Sequence, residues 1–228
     1  MIPLKIRLIL FAVLLTAAEV FAQVPVKDHE LMLDLRTGHN ASFGYFGAVS
    51  LQTEHKFDNN CMMEAGLRYS SIGQVSAEIC PAYQKEFSWG VLLTEILLTY
   101  TSQKSVGSIA TGAGAGIYGK WIGAKLGYYY RAYGNHRTMI KEPFNVYYEL
   151  CASLLTMIRS WDLKLYITNS EMFDLERHYQ PSFIAECRHN PTPELGISLG
   201  IGCKPAGMFN LSADYYQTFI DIGLCYRW

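Results

Sequence analysis

From residue 31 to the last residue, 228, the apolar side chains of this chain fall on alternate positions in segment after segment. A period of two is the side-chain period of an extended strand, whose successive Cβ atoms point to opposite faces, whereas a helix repeats near 3.6. Leu31, Leu33 and Leu35 alternate with Met32, Asp34 and Arg36. Met63, Ala65, Leu67 and Tyr69 alternate with Glu64, Gly66 and Arg68, and Ile122, Ala124, Leu126 and Tyr128 with Lys125, Gly127, Tyr129 and Arg131. The pattern continues through 144–150 and 161–167 and returns near Phe183, Leu199 and Leu224. Turn-forming clusters separate the runs: Asp58-Asn59-Asn60, Gln84-Lys85-Glu86, Gly134-Asn135-His136 and Pro191-Thr192-Pro193. The spacing predicts an all-β chain of about 12 antiparallel strands, within a range of roughly 10 to 14. Between residues 87 and 100 the alternation changes register near Thr94, which predicts a bulge, and 209–215 reads as a loop or a further strand.

The first residues do not share this pattern. Lys5 and Arg7 precede an apolar run over 8–18, and Val20-Phe21-Ala22 puts small residues at the positions a signal peptidase reads. The reading is a signal peptide over 1–22 and a barrel over 23–228, since a spanning helix needs about 20 apolar residues. The first Cys is Cys61, so cleavage exposes no Cys for lipidation. The exported chain is then secreted, periplasmic or in an outer membrane. With 19 Lys+Arg against 20 Asp+Glu there is no basic excess to neutralise a phosphate backbone, which argues against nucleic acid as a partner.

Alternation fits a soluble barrel with a greasy inside or a transmembrane barrel with a greasy outside. Three features favour the second. Connections alternate in length, with 58–60, 84–86, 120–121, 156–159 and 189–193 short and 101–107, 134–142, 169–177 and 205–217 mostly longer. Aromatic residues stand near segment ends, as interfacial girdles require: Trp89, Trp121, Tyr128, Phe144, Trp161 and Tyr179. Third, the chain ends in Ile220, Ile222, Leu224, Tyr226 and Trp228, alternate hydrophobic residues with an aromatic last. This ending resembles the terminal signal of bacterial outer-membrane β-barrels, the broad class of small porin-like and OmpX-like proteins. The resemblance implies a transmembrane antiparallel up-and-down barrel in the bacterial outer membrane, with outer-membrane lipid and the barrel-assembly machinery as partners.

An apolar outside leaves a polar set for the lumen: Asp34, Arg36, Glu64, Arg68, Lys125, Tyr129, Arg131, Glu149, Asp162, Lys164, Glu186 and Arg188. Paired, these charges form a structural network filling the interior; spread along a path, they set the selectivity of a channel for small solutes. Gly112, Gly114 and Gly116 fall on the same inward set, where glycine lets a sheet bend or leaves room beside Tyr129 or Tyr133; bending is the reading favoured. Gly114-Ala115-Gly116-Ile117-Tyr118-Gly119 has the spelling of a dinucleotide site, but the strand pattern that follows denies it the helix such a site needs. No cofactor and no metal-ligand spacing is indicated. Cys80, Cys151 and Cys225 point inward and Cys187 and Cys203 to lipid, which suits free thiols better than a disulfide framework. The expected function is structural, or passive transport or binding of small solutes. Two alternatives stand beside it: an outer-membrane lipid-modifying hydrolase using His136, His178 and the polar residues Ser170, Glu171, Asp174 and Glu176, and a soluble secreted barrel binding an apolar ligand.

Overall fold

The structure, a computed structural model, describes residues 26–57, 60–103, 106–135, 138–155, 161–169, 181–205 and 215–228. Among these residues every regular element is a strand. The twelve are β1 (Val26–Asn40), β2 (Gly44–Phe57), β3 (Cys61–Ser70), β4 (Gln74–Phe87), β5 (Gly90–Gln103), β6 (Val106–Gly119), β7 (Ile122–Gly134), β8 (Met139–Leu155), β9 (Trp161–Thr168), β10 (Ser182–His189), β11 (Leu195–Pro205) and β12 (Tyr215–Arg227). Each pairs antiparallel with its neighbours in sequence, and β12 pairs with β1 to close the barrel. Closure leaves no edge strand, so backbone polar groups find partners inside the wall.

The alternating pattern becomes two faces with opposite chemistry. On β7, Leu126 is 63% exposed on the outside while Tyr129 and Arg131, on the inner face, are each 1% exposed. Leu35, Ile222 and Leu199 form one cross-strand row on the outer wall, and all are exposed. An outer wall of this kind excludes a soluble barrel with an apolar ligand inside, because that fold turns its apolar set inward. The barrel is transmembrane. All four tryptophans, Trp89, Trp121, Trp161 and Trp228, stand at the end that carries both described chain ends. Tyr45, Tyr69, Tyr130, Phe144 and Phe183 lie towards the opposite end, which completes two aromatic belts. Tyr179 lies outside the described residues.

The seam is held at its terminal end by the last residue. The His29 N–H donates to the Trp228 carbonyl at 3.0 Å and the Trp228 N–H to that of His29 at 3.1 Å, while the indole stacks on the imidazole at 5.0 Å. At the opposite end Asn40 makes the first turn: its side-chain oxygen accepts from the N–H groups of Ser42 and Phe43, and Gly44 supplies the left-handed residue at φ +78°.

Three expectations are corrected. Gln84-Lys85-Glu86 is not a turn; these residues continue β4, and the chain reverses at 88–89. The residues 101–107 and 134–142 are not long connections either, because β5, β6, β7 and β8 run into them, and 170–180 and 206–214 lie outside the described residues. Polar residues at strand ends keep pairing with the neighbouring strand, which makes them look like loops in a sequence. No register shift occurs near Thr94: β5 pairs with β6 without a break, and irregularities lie instead at Val26/Asp28 in the β1–β2 ladder, Tyr129/Arg131 in β7–β8 and Lys204/Pro205 in β11–β12. The apparent change of register arose because Leu97 is turned into the lumen.

Leu35→Arg, at a site 54% exposed on the lipid side, should destabilise the refolded barrel by about 2–4 kcal/mol. Ser50→Arg, on the inner face, should cost less than about 1 kcal/mol. Urea titration in lipid or detergent reads both.

Candidate functional site

Strand parity sends the polar set into the lumen, and register decides which charges meet. Arg36 stands opposite Asp221, Glu30 opposite Arg227, Lys125 opposite Glu149, Lys164 opposite Glu186 and Asp162 opposite Arg188. Arg36 binds Asp221 through two nitrogens, at 2.6 and 2.7 Å, with its guanidinium 3.8 Å above the Phe219 ring. Such fork-to-fork pairing fixes geometry as well as charge. Arg227 bonds Glu30 at 2.8 Å, and Arg188 reaches Glu186 at 3.6 Å and Glu30 at 3.9 Å.

The side of the lumen formed by β5 to β8 is filled. Leu97, Ala110, Tyr129 and Tyr147 pack there as a buried cluster. Tyr147, Gly127, Gly114 and Glu95 form one cross-strand row over β8, β7, β6 and β5. The Tyr147 ring lies across both glycines, where a Cβ on either would collide with it, and its hydroxyl donates to Glu95 at 2.9 Å. Lys125 bonds the same carboxylate at 3.3 Å, so the buried Glu95 has a cation and a hydroxyl against it. Gly123 is similarly covered by the Tyr118 ring and Gly202 by the Phe219 ring, whereas a Cβ on Gly112 would meet the adjacent strand itself at Tyr128 and Tyr129. Within the stripe, Gly114 and Gly116 therefore make room for the Tyr147 and Tyr118 rings, where the sequence favoured bending. Arg131 completes this side, donating to Ser108 at 2.9 Å with Glu142 at 4.0 Å.

The side formed by β1 to β4 and β8 to β12 is open. Three cavities follow one another along it. The first, about 60 Å³, lies at the mouth away from the chain ends, between Arg36, Phe46, Arg68, Lys204 and Phe219. The second, about 380 Å³, occupies the middle and shares Arg36, Ala48 and Arg68 with the first. The third, about 170 Å³, lies nearer the chain ends and shares Met32, Gln52 and Glu78 with the second.

The expected lumen residues divide between these regions. Asp34, Arg36, Arg68, Glu149, Glu186 and Arg188 line the middle cavity and Glu64 the third. Tyr129, Lys125 and Arg131 belong to the filled side, and Asp162 and Lys164 stand on β9 opposite Arg188 and Glu186. Sequence reading missed Glu95, hidden by the supposed bulge, and the part played by Tyr147, since nothing local marks a tyrosine that will cross two distant glycines. The residues of the hydrolase alternative, His136, Ser170, Glu171, Asp174, Glu176 and His178, lie outside the described residues. No group of His, Cys, Asp or Glu among the described residues is arranged to hold a metal. No disulfide joins any of the six cysteines, and no two are partners in the strand registers.

No family model and no curated protein matches the chain. Solved structures match its fold. The KdgM porin in complex with disordered oligogalacturonate is 13% identical, over 86% of this chain and 98% of that one, with a TM-score of 0.54. The NanC porin is 11% identical over 85% and 98%, at 0.55. An outer membrane channel from Pseudomonas putida F1 is 8% identical over 90% and 97%, at 0.57. At such identities the likeness is one of fold: this chain is built as outer-membrane β-barrel channels are.

Gly127→Val should destabilise the barrel by about 1–3 kcal/mol, because Tyr147 loses its seat. In a Tyr147→Ala background the same change should cost less, with a coupling of about 1–2 kcal/mol. A double-mutant cycle by urea unfolding measures it; additive effects would show that ring and glycine are independent.

Proposed function

We propose that this protein is a channel of the bacterial outer membrane through which small polar solutes diffuse passively along the open side of the lumen. The observation that carries this reading is the series of three cavities joined by shared lining residues, running from the mouth away from the chain ends to the level of Glu30 and Glu64. The about 380 Å³ of the middle cavity suits a small solute, and the constriction near Arg36 and Phe219 excludes large ones. Charges on the lining set selectivity, and the packing of Tyr129 and Tyr147 fixes the width of the path.

Location and assembly rest on separate features. The outward apolar wall calls for a lipid surround. Lys5, Arg7 and the apolar run over 8–18 support export with cleavage after Ala22. Ile220, Ile222, Leu224, Tyr226 and Trp228 lie along the last strand and at its end, all exposed on the outer wall, where the assembly machinery can read them as a continuous ridge.

Residues 23–228, refolded and added to a planar bilayer, should give stepwise conductance proportional to salt. Ser50→Trp, facing the middle cavity, should cut the step severalfold, whereas Leu51→Trp on the lipid face should leave it within about 20%. Tyr147→Ala should raise it by about twofold by opening the filled side. A folded, heat-modifiable barrel that passes no current would overturn the channel reading and leave a structural barrel with a closed lumen.

A further inference from the structure

The three cavities differ in the sign of their walls. Among the described residues, the mouth cavity is lined by Arg36, Arg68 and Lys204 and by no carboxylate. The cavity nearer the chain ends is lined by Glu30, Glu54, Glu64 and Glu78 and by no base. The middle cavity carries both signs, with Arg36, Arg68 and Arg188 among Asp34, Glu78, Glu149, Glu186 and Asp221. Positive charge therefore gives way to negative charge along one path.

The acidic end is built against local stability. Glu30, Glu54 and Glu64 are direct cross-strand partners in one row over β1, β2 and β3. Like charges directly opposite destabilise a sheet, and elsewhere in this lumen the register sets opposite charges together. Arg227 bonds Glu30 at 2.8 Å and Lys56 bonds Glu54 at 2.9 Å, but neither base lines the cavity. A carboxylate row kept in register despite its repulsion leaves a wall that favours positive charge inside the cavity.

We propose that the path takes zwitterionic solutes of amino-acid size, oriented with the ammonium group towards the end that carries the chain termini and the carboxylate towards the opposite mouth. The proposal rests on the channel reading above. A net anion is attracted at the mouth and repelled by the glutamates, and a net cation meets the reverse, so each gains at one end what it loses at the other. A zwitterion has no net charge and a large dipole, and the axial field lowers its energy along the whole path when it is aligned. A narrow lumen with low-dielectric walls strengthens that field. The middle cavity, with both signs on its wall, is where both ends of such a solute find partners at once.

The test uses two isomers, free alanine and lactamide, which have the same atoms and nearly the same size but differ in that only alanine is a zwitterion. Liposomes containing the refolded barrel swell as solute enters, and the rate in protein-free liposomes is subtracted. Alanine should enter at least about threefold faster than lactamide. Glu54→Gln/Glu64→Gln should bring the ratio close to one while lactamide flux persists, and Arg68→Gln/Lys204→Gln should do the same from the other end. Equal rates in the parent barrel, or a ratio that both double variants leave unchanged, would overturn the orientation proposal and leave a size-selective channel. No protein-dependent swelling with either isomer would overturn the channel reading itself.

Discussion

The organisation of this barrel depends on one contact: the Tyr147 ring laid across Gly127 and Gly114 to reach Glu95. A barrel of twelve strands encloses more space than its shortest inward residues can fill, and unfilled lumen is either water or side chains. Here aromatic rings lie against glycines of the wall, which lets a large side chain occupy that region without meeting a Cβ. The ring covers backbone that glycine leaves bare, and its hydroxyl completes the coordination of a buried carboxylate. Lys125 closes the arrangement, so that Glu95, Lys125 and Tyr147 depend on one another. Removing one partner from such a set leaves another buried and unsatisfied, which makes the set cooperative.

Filling one side leaves the other open. Because Leu97, Ala110, Tyr129 and Tyr147 occupy the β5–β8 side, the path runs off-axis along β1 to β4 and β8 to β12. The charged residues of those strands therefore face the open lumen, whereas Arg131 and Glu95 serve the packing. The same inward parity thus yields two kinds of polar residue, and their strand's place around the ring separates them. Beside the mouth cavity Arg36 is held by Asp221 on one side and Phe219 on the other.

Legibility in the sequence followed the range of the interaction. The inward set from Asp34 to Arg188 follows from parity alone, because alternation is imposed by the backbone within a few residues. Glu95 did not follow, since Leu97 turned into the lumen breaks the binary pattern and imitates a bulge. Gln84-Lys85-Glu86 imitated a turn for a related reason: a polar run is the same string whether it bends or continues a strand. The glycine stripe was visible as a stripe, but its purpose was not, because Tyr147 stands 20 residues beyond Gly127 and 33 beyond Gly114.

The sequence by itself determined that this chain forms antiparallel strands with one apolar and one polar face, with about twelve of them. Its ending pointed to a membrane barrel before any contact was known. Only the tertiary structure decided which charges meet, which side of the lumen is filled and how sign is distributed along the path. The reason is physical. Alternation is a local property of extended backbone, whereas a cross-strand row joins residues whose separation is set by turn lengths and register, and a one-residue change in either would give every row different members.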